Sequence, residues 1–407
     1  MERASGLWAP DRKPKVAITT VYPMGKIGGV QSEVRDLAED LPELGFDVTL
    51  YSPDNNLFKI SHGDSMPLGK VIPMNVMGTS AYQGWPDFKS HKEVEEANIM
   101  HTNEAAIDFQ QSFLLLKRQG LEYLQKRYGR SYQRKRANVG TLHAMNKDGS
   151  EYLMTFWPIA YAFDRMKIMN RMTVVSEVLK KRILKAFPFV RNIRIEVVPN
   201  GVDTRVFCPY PQGPKVAEFD DGILNILYVG RLEDRKGVAF ALDAIASLAR
   251  KYDNFRFIIA GSGPQREELE RKVRDLGIGK FVKFLGRVSD KYKQDLMRTA
   301  DIGLFLSTKN ESFGIAPLEQ EASGVPLVAG EIFKSVVEDG VGGSGYLVDP
   351  TDTRQVAASV GTLIEDKVLR AKMGKKAREI ALRFDRKIVA RMYADVYSDA
   401  FDDAQRV

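Results

Sequence analysis

Lys15-Val-Ala-Ile-Thr-Thr20, Pro23-Met-Gly25-Lys-Ile-Gly28-Gly29 and Phe46-Asp-Val-Thr-Leu-Tyr51 are pieces of a single βαβ unit, and their reading decides the fold. The first is a short apolar, β-branched run, as expected of a strand buried on both faces. The second is a glycine-bearing loop. Behind it Val30, Val34, Leu37, Ala38 and Leu41 recur at helical spacing until Leu44-Gly45, a helix stop. The third is the next strand. About two hundred residues on, the theme returns as Asn225-Ile-Leu-Tyr-Val229, a polar loop from Gly230-Arg231 to Gly237, then Val238, Ala239, Leu242, Ile245 and Leu248. The strand Phe255–Ala260 follows. Two such starts predict two α/β domains with parallel sheets, each offering a ligand site at the carboxyl ends of its strands.

Working outward, Ile195-Glu-Val-Val-Pro199-Asn200-Gly201-Val-Asp203 runs from a strand into a turn and marks the switch between the domains. The expected organisation is a flexible lead-in at 1–13, a first domain at 14–200 and a second at 201–385. A last helix at 386–407, with Ile388-Val389, Met392-Tyr393 and Val396-Tyr397 at helical spacing, is expected to pack back on the first. The chain's 407 residues, 44% apolar and 28% charged, have an ordinary globular composition for two or three domains. No run approaches the ~20 uninterrupted apolar residues of a membrane span, and the first thirty residues lack a secretory pattern. A single cysteine, Cys208, leaves no disulfide framework or cysteine-based zinc cluster within the chain. The expectation is a cytoplasmic protein without a metal cofactor.

The net charge of +7 is unevenly spread. Residues 110–195 hold 18 Lys/Arg against 5 Asp/Glu, while the remainder holds 42 against 48. Such a segment attracts phosphates, on nucleic acid, on an anionic membrane or on a small substrate, or else is a set of solvated helix faces. The aromatic run from Tyr152 to Phe163 lies within it and reads as a core helix or as a membrane-docking face.

Several loops after strands carry chemistry. Arg231 and Lys236 stand at the carboxyl end of a strand and before a helix, a suitable place for a pyrophosphate. Gly261-Ser-Gly263-Pro264 occupies the next strand–helix junction, where glycine permits close approach of a ligand or merely a tight turn. Gly28-Gly29 does not complete G-x-G-x-x-G, so a dinucleotide fingerprint is missing where one would stand. The sharpest stretch is Asn310-Glu311-Ser312-Phe313-Gly314-Ile315-Ala-Pro317-Leu-Glu319. Two carboxylates flanking a glycine turn suit the hydroxyls of a sugar or ribose, with Pro317-Leu-Glu319 expected to begin a helix.

Taken together, Arg231…Lys236, Gly261-Ser-Gly-Pro264, Phe284-Leu-Gly286-Arg287, the Glu311/Glu319 pair, Gly28-Gly29-Val-Gln31, Thr141-Leu-His143 and Val198–Asp203 resemble the retaining GT-B glycosyltransferases of family four. The resemblance runs from about residue 15 to residue 397. It implies two Rossmann-like domains with parallel sheets facing each other across a deep cleft, the first binding the acceptor and the second a nucleotide sugar. It implies catalytic roles for His143, Arg231, Lys236 and Glu311. Donor contacts would come from Gly28, Gly29, Arg231, Lys236, Gly261, Gly263, Arg287, Val288, Glu311, Ser312, Phe313, Gly314, Ile315 and Glu319. Within these, Arg231 and Lys236 would hold the diphosphate, Glu319 the ribose, Glu311 the sugar hydroxyls, and His143 the sugar's reacting end.

The chain contains no D-x-D, so fixed cations would replace a metal, and no cofactor beyond the donor is implied. The acceptor would be a membrane lipid, a lipid-linked glycan or a soluble sugar, with the basic segment facing an anionic membrane. The family's usual turn after Gly324-Val-Pro326 is replaced by Glu331-Ile-Phe-Lys334-Ser335, which blurs sugar selection. Competing classes are weaker. A nucleic-acid-binding protein would carry aromatic–basic recognition motifs that are missing here, and an NAD-dependent oxidoreductase would carry the glycine fingerprint.

Overall fold

The computed structural model describes residues 13–19, 29–52, 71–73, 76–77, 85–86, 97–103, 137–143, 170–186, 193–309 and 311–406. The lead-in to residue 12, Gly28, the aromatic run 152–163 and most of the basic segment lie outside the described residues. The chain divides into two compact units, Met1–Gly201 with Arg386–Val407, and Val202–Asp385.

In unit 1 the strands are β1 (Lys15–Thr19), β2 (Asp47–Ser52), β3 (Val71–Pro73), the small pair β4 (Val76–Met77) and β5 (Trp85–Pro86), β6 (Ile99–Asn103), β7 (Ala137–Leu142), β8 (Arg171–Val174) and β9 (Arg194–Val197). Apart from β4 and β5, which pair antiparallel, they form one sheet in the order β3-β2-β1-β6-β7-β8-β9. Every pairing in that sheet is parallel. Burial explains the composition. Val16, Ala17 and Ile18 of β1 are all at most 1% exposed, the mark of a central strand covered on both faces.

Helix α1 (Gly29–Asp40) follows β1 and turns Val34, Leu37 and Ala38 into this core. A single 3-10 turn, Leu41–Leu44, closes it at Gly45, whose φ of +92° only glycine adopts without strain. Helix α2 (Glu177–Ala186) follows β8 and buries Leu179 and Ile183.

The C-terminal helix, numbered α9 below (Arg386–Gln405), belongs to this unit. Val389, Tyr393, Val396, Tyr397 and Ala400 join Val16, Ile18, Val34, Phe46, Ile99 and Val139 in one apolar cluster. Arg386 fixes the helix's start against α1, with 3.0 Å to Asp36, 2.6 Å to Glu39 and 2.6 Å to Asp40.

Unit 2 contains β10 (Leu224–Val229), α3 (Val238–Leu248), β11 (Phe255–Ala260), α4 (Arg266–Asp275), β12 (Val282–Gly286), α5 (Asp290–Thr299), β13 (Ile302–Phe305), α6 (Ile315–Ala322), β14 (Leu327–Gly330), β15 (Gly345–Val348), α7 (Thr353–Glu365) and α8 (Lys367–Ala381). Its sheet, all parallel, has the order β12-β11-β10-β13-β14-β15. The direction of winding reverses between β10 and β13, the point in such a sheet, at the carboxyl ends of the strands, where ligands bind. The loops leaving these two strands carry Arg231–Lys236 and Glu311.

Candidate functional site

The loop after β10 ends in a 3-10 turn, Asp234–Lys236, and Gly237 at φ +69° launches α3. A Cβ at Gly237 would collide with the Leu306 carbonyl oxygen, so the glycine lets this loop lie against the loop after β13. The Thr308 amide donates to the Arg235 carbonyl at 2.9 Å, closing the contact. The result places Lys236 Nζ 2.5 Å from Glu311 Oε2. Arg235 Nη1 lies 3.7 Å from the same oxygen, and the Ser307 hydroxyl 3.5 Å from it. Lys236 and Glu311 retain 18% and 19% side-chain exposure, enough for a ligand to reach them. Tyr228, buried beneath, donates its hydroxyl to the Arg231 carbonyl at 2.8 Å and so props the loop from below. Burial, with the Glu311 charge, pushes its pKa well up.

Arg231 itself is exposed and pairs with Glu233 at 3.0 Å, not with Glu311. Gly261 and Gly263 stand beside it for a packing reason. A Cβ at Gly261 would strike the Gly230 carbonyl, and one at Gly263 the backbone of Leu232. The Leu232 amide also donates to the Ser262 carbonyl at 3.0 Å. These glycines join two adjacent strand-end loops. Arg287 is exposed and Val288 half-buried, after β12.

Gly314, at φ +109°, caps α6, which starts at Ile315. The expectation that Pro317-Leu-Glu319 begins the helix is corrected by two residues. The left-handed glycine, not the proline, ends the loop, and Glu319 sits in the second turn. Phe313 is buried and rests edge-on against Phe384, 5.7 Å between ring centroids, while Ser312 and Ile315 are half-buried. Glu319 does not face Glu311's partners. It is 9% exposed, and its Oε1 accepts from Lys293 Nζ of α5 at 2.7 Å. Burial raises the Glu319 pKa, and Lys293 opposes the rise.

Unit 1 carries a second constellation. His143, just beyond β7, is buried, with Nδ1 3.1 Å from Glu33 Oε2 of α1. The other Glu33 oxygen accepts the Tyr393 hydroxyl of α9 at 2.6 Å. Behind this, His101 bridges the Tyr397 hydroxyl at 2.7 Å and the Thr141 hydroxyl at 2.6 Å, and Thr141 reaches Thr173 at 2.6 Å. Burial pushes the His143 pKa down to about 4, with the Asn200 side chain acting the other way, and that of His101 down to about 3. Both imidazoles are neutral at pH 7. Gly29 opens α1, and Gly28 lies outside the described residues.

Lys293, Arg235 and Glu33 escaped the reading of the sequence, and Tyr393 was legible only as an apolar position of the last helix. Each is one polar residue in a helix or loop rich in them, and only its partner, 26 to 360 positions away, singles it out. Among the described residues no group of three or more His, Cys, Asp or Glu could hold a metal ion, and no helix is long and apolar enough to cross a membrane.

Comparison with known proteins agrees with this architecture. Residues 213–380 match the family Glycosyl transferases group 1, and residues 27–206 match Glycosyltransferase Family 4. A phosphatidyl-myo-inositol mannosyltransferase of Mycolicibacterium smegmatis is 28% identical over 392 residues, 94% of this chain and 93% of that one. A D-inositol 3-phosphate glycosyltransferase of Corynebacterium kroppenstedtii is 34% identical over 220 residues, 51% of this chain and 48% of that one. Among solved structures, a glycosyltransferase from Rickettsia africae superposes with a TM-score of 0.72 at 18% identity, covering 96% of this chain and 99% of that one. Anabaena HepE, solved in complex with UDP, gives 0.71 at 20% identity, covering 94% and 99%.

Proposed function

We propose, for a chain that belongs to the glycosyl transferases group 1 and has that family's GT-B pair of Rossmann-like domains, a retaining and metal-independent transfer of a hexose from a nucleotide sugar to a phosphoinositol-bearing acceptor. The observation that carries the reading is the Lys236–Glu311 pair at the reversal point of the unit 2 sheet. Breaking a sugar–phosphate bond leaves charge on the nucleoside diphosphate. Preset cations there stabilise the transition state more than the ground state. Lys236, with Arg231 and Arg235 on the same loop, supplies them, and the amides at the start of α6 add the positive end of a helix.

Glu311, steadied by Lys236, accepts from hydroxyls of the transferred sugar, and Glu319 accepts from the ribose. Gly261, Gly263, Arg287 and Val288 line the nucleotide, while Ser312, Phe313, Gly314 and Ile315 shape the loop against the sugar and phosphates. The family resemblance also assigns phosphate contacts to Gly28 and Gly29 and the sugar's reacting end to His143. In a retaining transfer the bond from the anomeric carbon to the donor phosphate oxygen breaks. The acceptor oxygen bonds to that carbon from the same face, and its proton passes to the departing phosphate. No protein nucleophile is required.

The names of the two bacterial relatives support an inositol-bearing acceptor. Helix α2 supports docking of unit 1 on an anionic membrane. Lys181 and Lys185 are exposed, Lys180 and Arg182 half-buried, and Glu177 is the helix's one acid.

The test is release of nucleoside diphosphate from UDP-, GDP- and ADP-sugars, with vesicles containing phosphatidylinositol and with soluble inositol phosphate as acceptors. Turnover on vesicles alone supports the lipid, and turnover on the soluble compound alone moves the acceptor to the headgroup. Undiminished turnover in Glu311→Ala and Lys236→Ala would remove the site. Chelator sensitivity would overturn metal independence, and an inverted anomeric carbon in the product, read by NMR, would overturn retention.

A further inference from the structure

Lys293 lies on α5, whose start is fixed by Ser289: its hydroxyl accepts the Tyr292 amide at 3.2 Å and its carbonyl the Lys293 amide at 2.8 Å. This aims the Lys293 side chain at Glu319, and its ammonium also stands 5.1 Å over the Phe207 ring. Among the described residues, only Oε1 of the Glu319 carboxylate has a protein partner, and the ammonium meets no acceptor but that oxygen.

An unconstrained carboxylate would offer two acceptors to a vicinal diol. This one offers a single acceptor beside a set of N–H donors. A diol fits that arrangement differently, one hydroxyl donating to Oε2 and its neighbour's oxygen accepting from the ammonium. We propose that Lys293 is a specificity-determining residue of the nucleotide subsite, pinning Oε1 of Glu319 so that the Glu319–Lys293 pair reads the ribose diol as acceptor and donor. This rests on the reading that Glu319 meets the ribose.

Burial and the Asp290 charge raise the Glu319 pKa, and Lys293 opposes the rise. Protonation of Glu319 would remove the acceptor. Loss of Lys293 raises the Glu319 pKa further and so moves the carboxylate's share of the acid limb of nucleotide binding to higher pH, while the share from the nucleotide's own terminal phosphate stays in place.

The experiment uses the full chain and whichever of UDP, GDP or ADP binds it most tightly by calorimetry, together with the 2′-deoxy and 3′-deoxy forms of that nucleotide, from about pH 5 to 8. In Lys293→Met, affinity for the parent nucleotide falls about tenfold or more, as expected for a lost charge-assisted hydrogen bond, and discrimination against a deoxy form shrinks. The acid limb moves upward. Lys293→Arg retains the limb and most of the affinity. Should the Met variant fail to fold, Lys293→Gln keeps an N–H donor without the charge, and its acid limb must still move.

Unchanged ribose discrimination and an unchanged acid limb in Lys293→Met, with discrimination and the carboxylate's share of the limb lost in Glu319→Gln, would overturn the role of Lys293 alone. If Glu319→Gln also leaves discrimination untouched, the ribose reading itself falls.

Discussion

In unit 2 the carboxylates assigned to the donor each rest on an ammonium group, Glu311 on Lys236 at 2.5 Å and Glu319 on Lys293 at 2.7 Å. In unit 1, Glu33 instead receives the Tyr393 hydroxyl at 2.6 Å and lies 3.1 Å from Nδ1 of a neutral His143. The first arrangement sets paired charges near the ends of strands, where the proposed nucleotide sugar would bind. The second spreads a buried carboxylate over a hydrogen-bonded network of hydroxyls and imidazoles, which fixes side-chain positions at the cost of pH tolerance. One unit is built to meet charge, the other to hold a neutral ring in place.

The strongest way to break this contrast is to remove the ammonium group. Lys236→Ala is expected to lower kcat for nucleoside diphosphate release by about 10²–10³-fold, the usual scale for losing a preset electrostatic contact. The double variant Lys236→Ala/Glu311→Ala should lose little more than the worse single one, because the two side chains act as a unit. Fully multiplicative losses would show that they work separately.

The next effect is on the backbone that brings the pair together. Gly237→Ala places a side chain at φ +69° and against Leu306. It should destabilise unit 2 by about 2–4 kcal/mol in urea unfolding followed by circular dichroism. Trp8, Trp85 and Trp157, the chain's three tryptophans, fall in unit 1, so the fluorescence transition should stay where it is.

Acidification sharpens the comparison further. All four histidines lie in unit 1, and the folded pKa values of His101 and His143 fall below the unfolded one, to about 3 and about 4. Below about pH 6.5 the unfolded chain binds protons that the folded unit refuses, so stability falls with pH. Between about pH 7.5 and 5.5 the loss is roughly 1 kcal/mol per histidine. In unit 2, which has no histidine, the buried carboxylates carry the opposite sign. Burial raises the pKa of Glu319, Glu321 and Asp301, so their protonation favours the folded state as pH falls. The tryptophan-detected melting temperature should therefore drop over that range while the transition of unit 2 does not. Parallel shifts would refute the contrast.

The smallest effect belongs to Tyr393→Phe. Deleting the hydroxyl that Glu33 accepts should cost unit 1 about 1–2 kcal/mol, read as an earlier fluorescence transition.

The elements were largely legible. The apolar run at 15–20 became β1, the helical spacing from Val30 to Leu41 became α1 and its closing turn, and Phe255–Ala260 became β11 without change. Strands and helices announce themselves because one period, two or 3.6, places apolar side chains on a buried face, and that period is local. The start of α6 was misjudged by two residues because the proline at 317 is an obvious signal, whereas the positive φ of Gly314 shows only in three dimensions.

Side-chain partnership was the illegible part. The sequence alone determined two parallel α/β units, the candidate residues at their strand ends and the uneven charge, since composition and periodicity act over a few neighbouring positions. Only the tertiary structure decided that Glu311 meets Lys236, that Glu319 meets Lys293, that Gly261 and Gly263 bring two strand-end loops together, and that a helix beginning at Arg386 supplies the hydroxyl for Glu33. Ion pairs and hydrogen bonds act over about 3 Å, and residues far apart in the chain come that close only once strand order and helix packing have fixed the path between them.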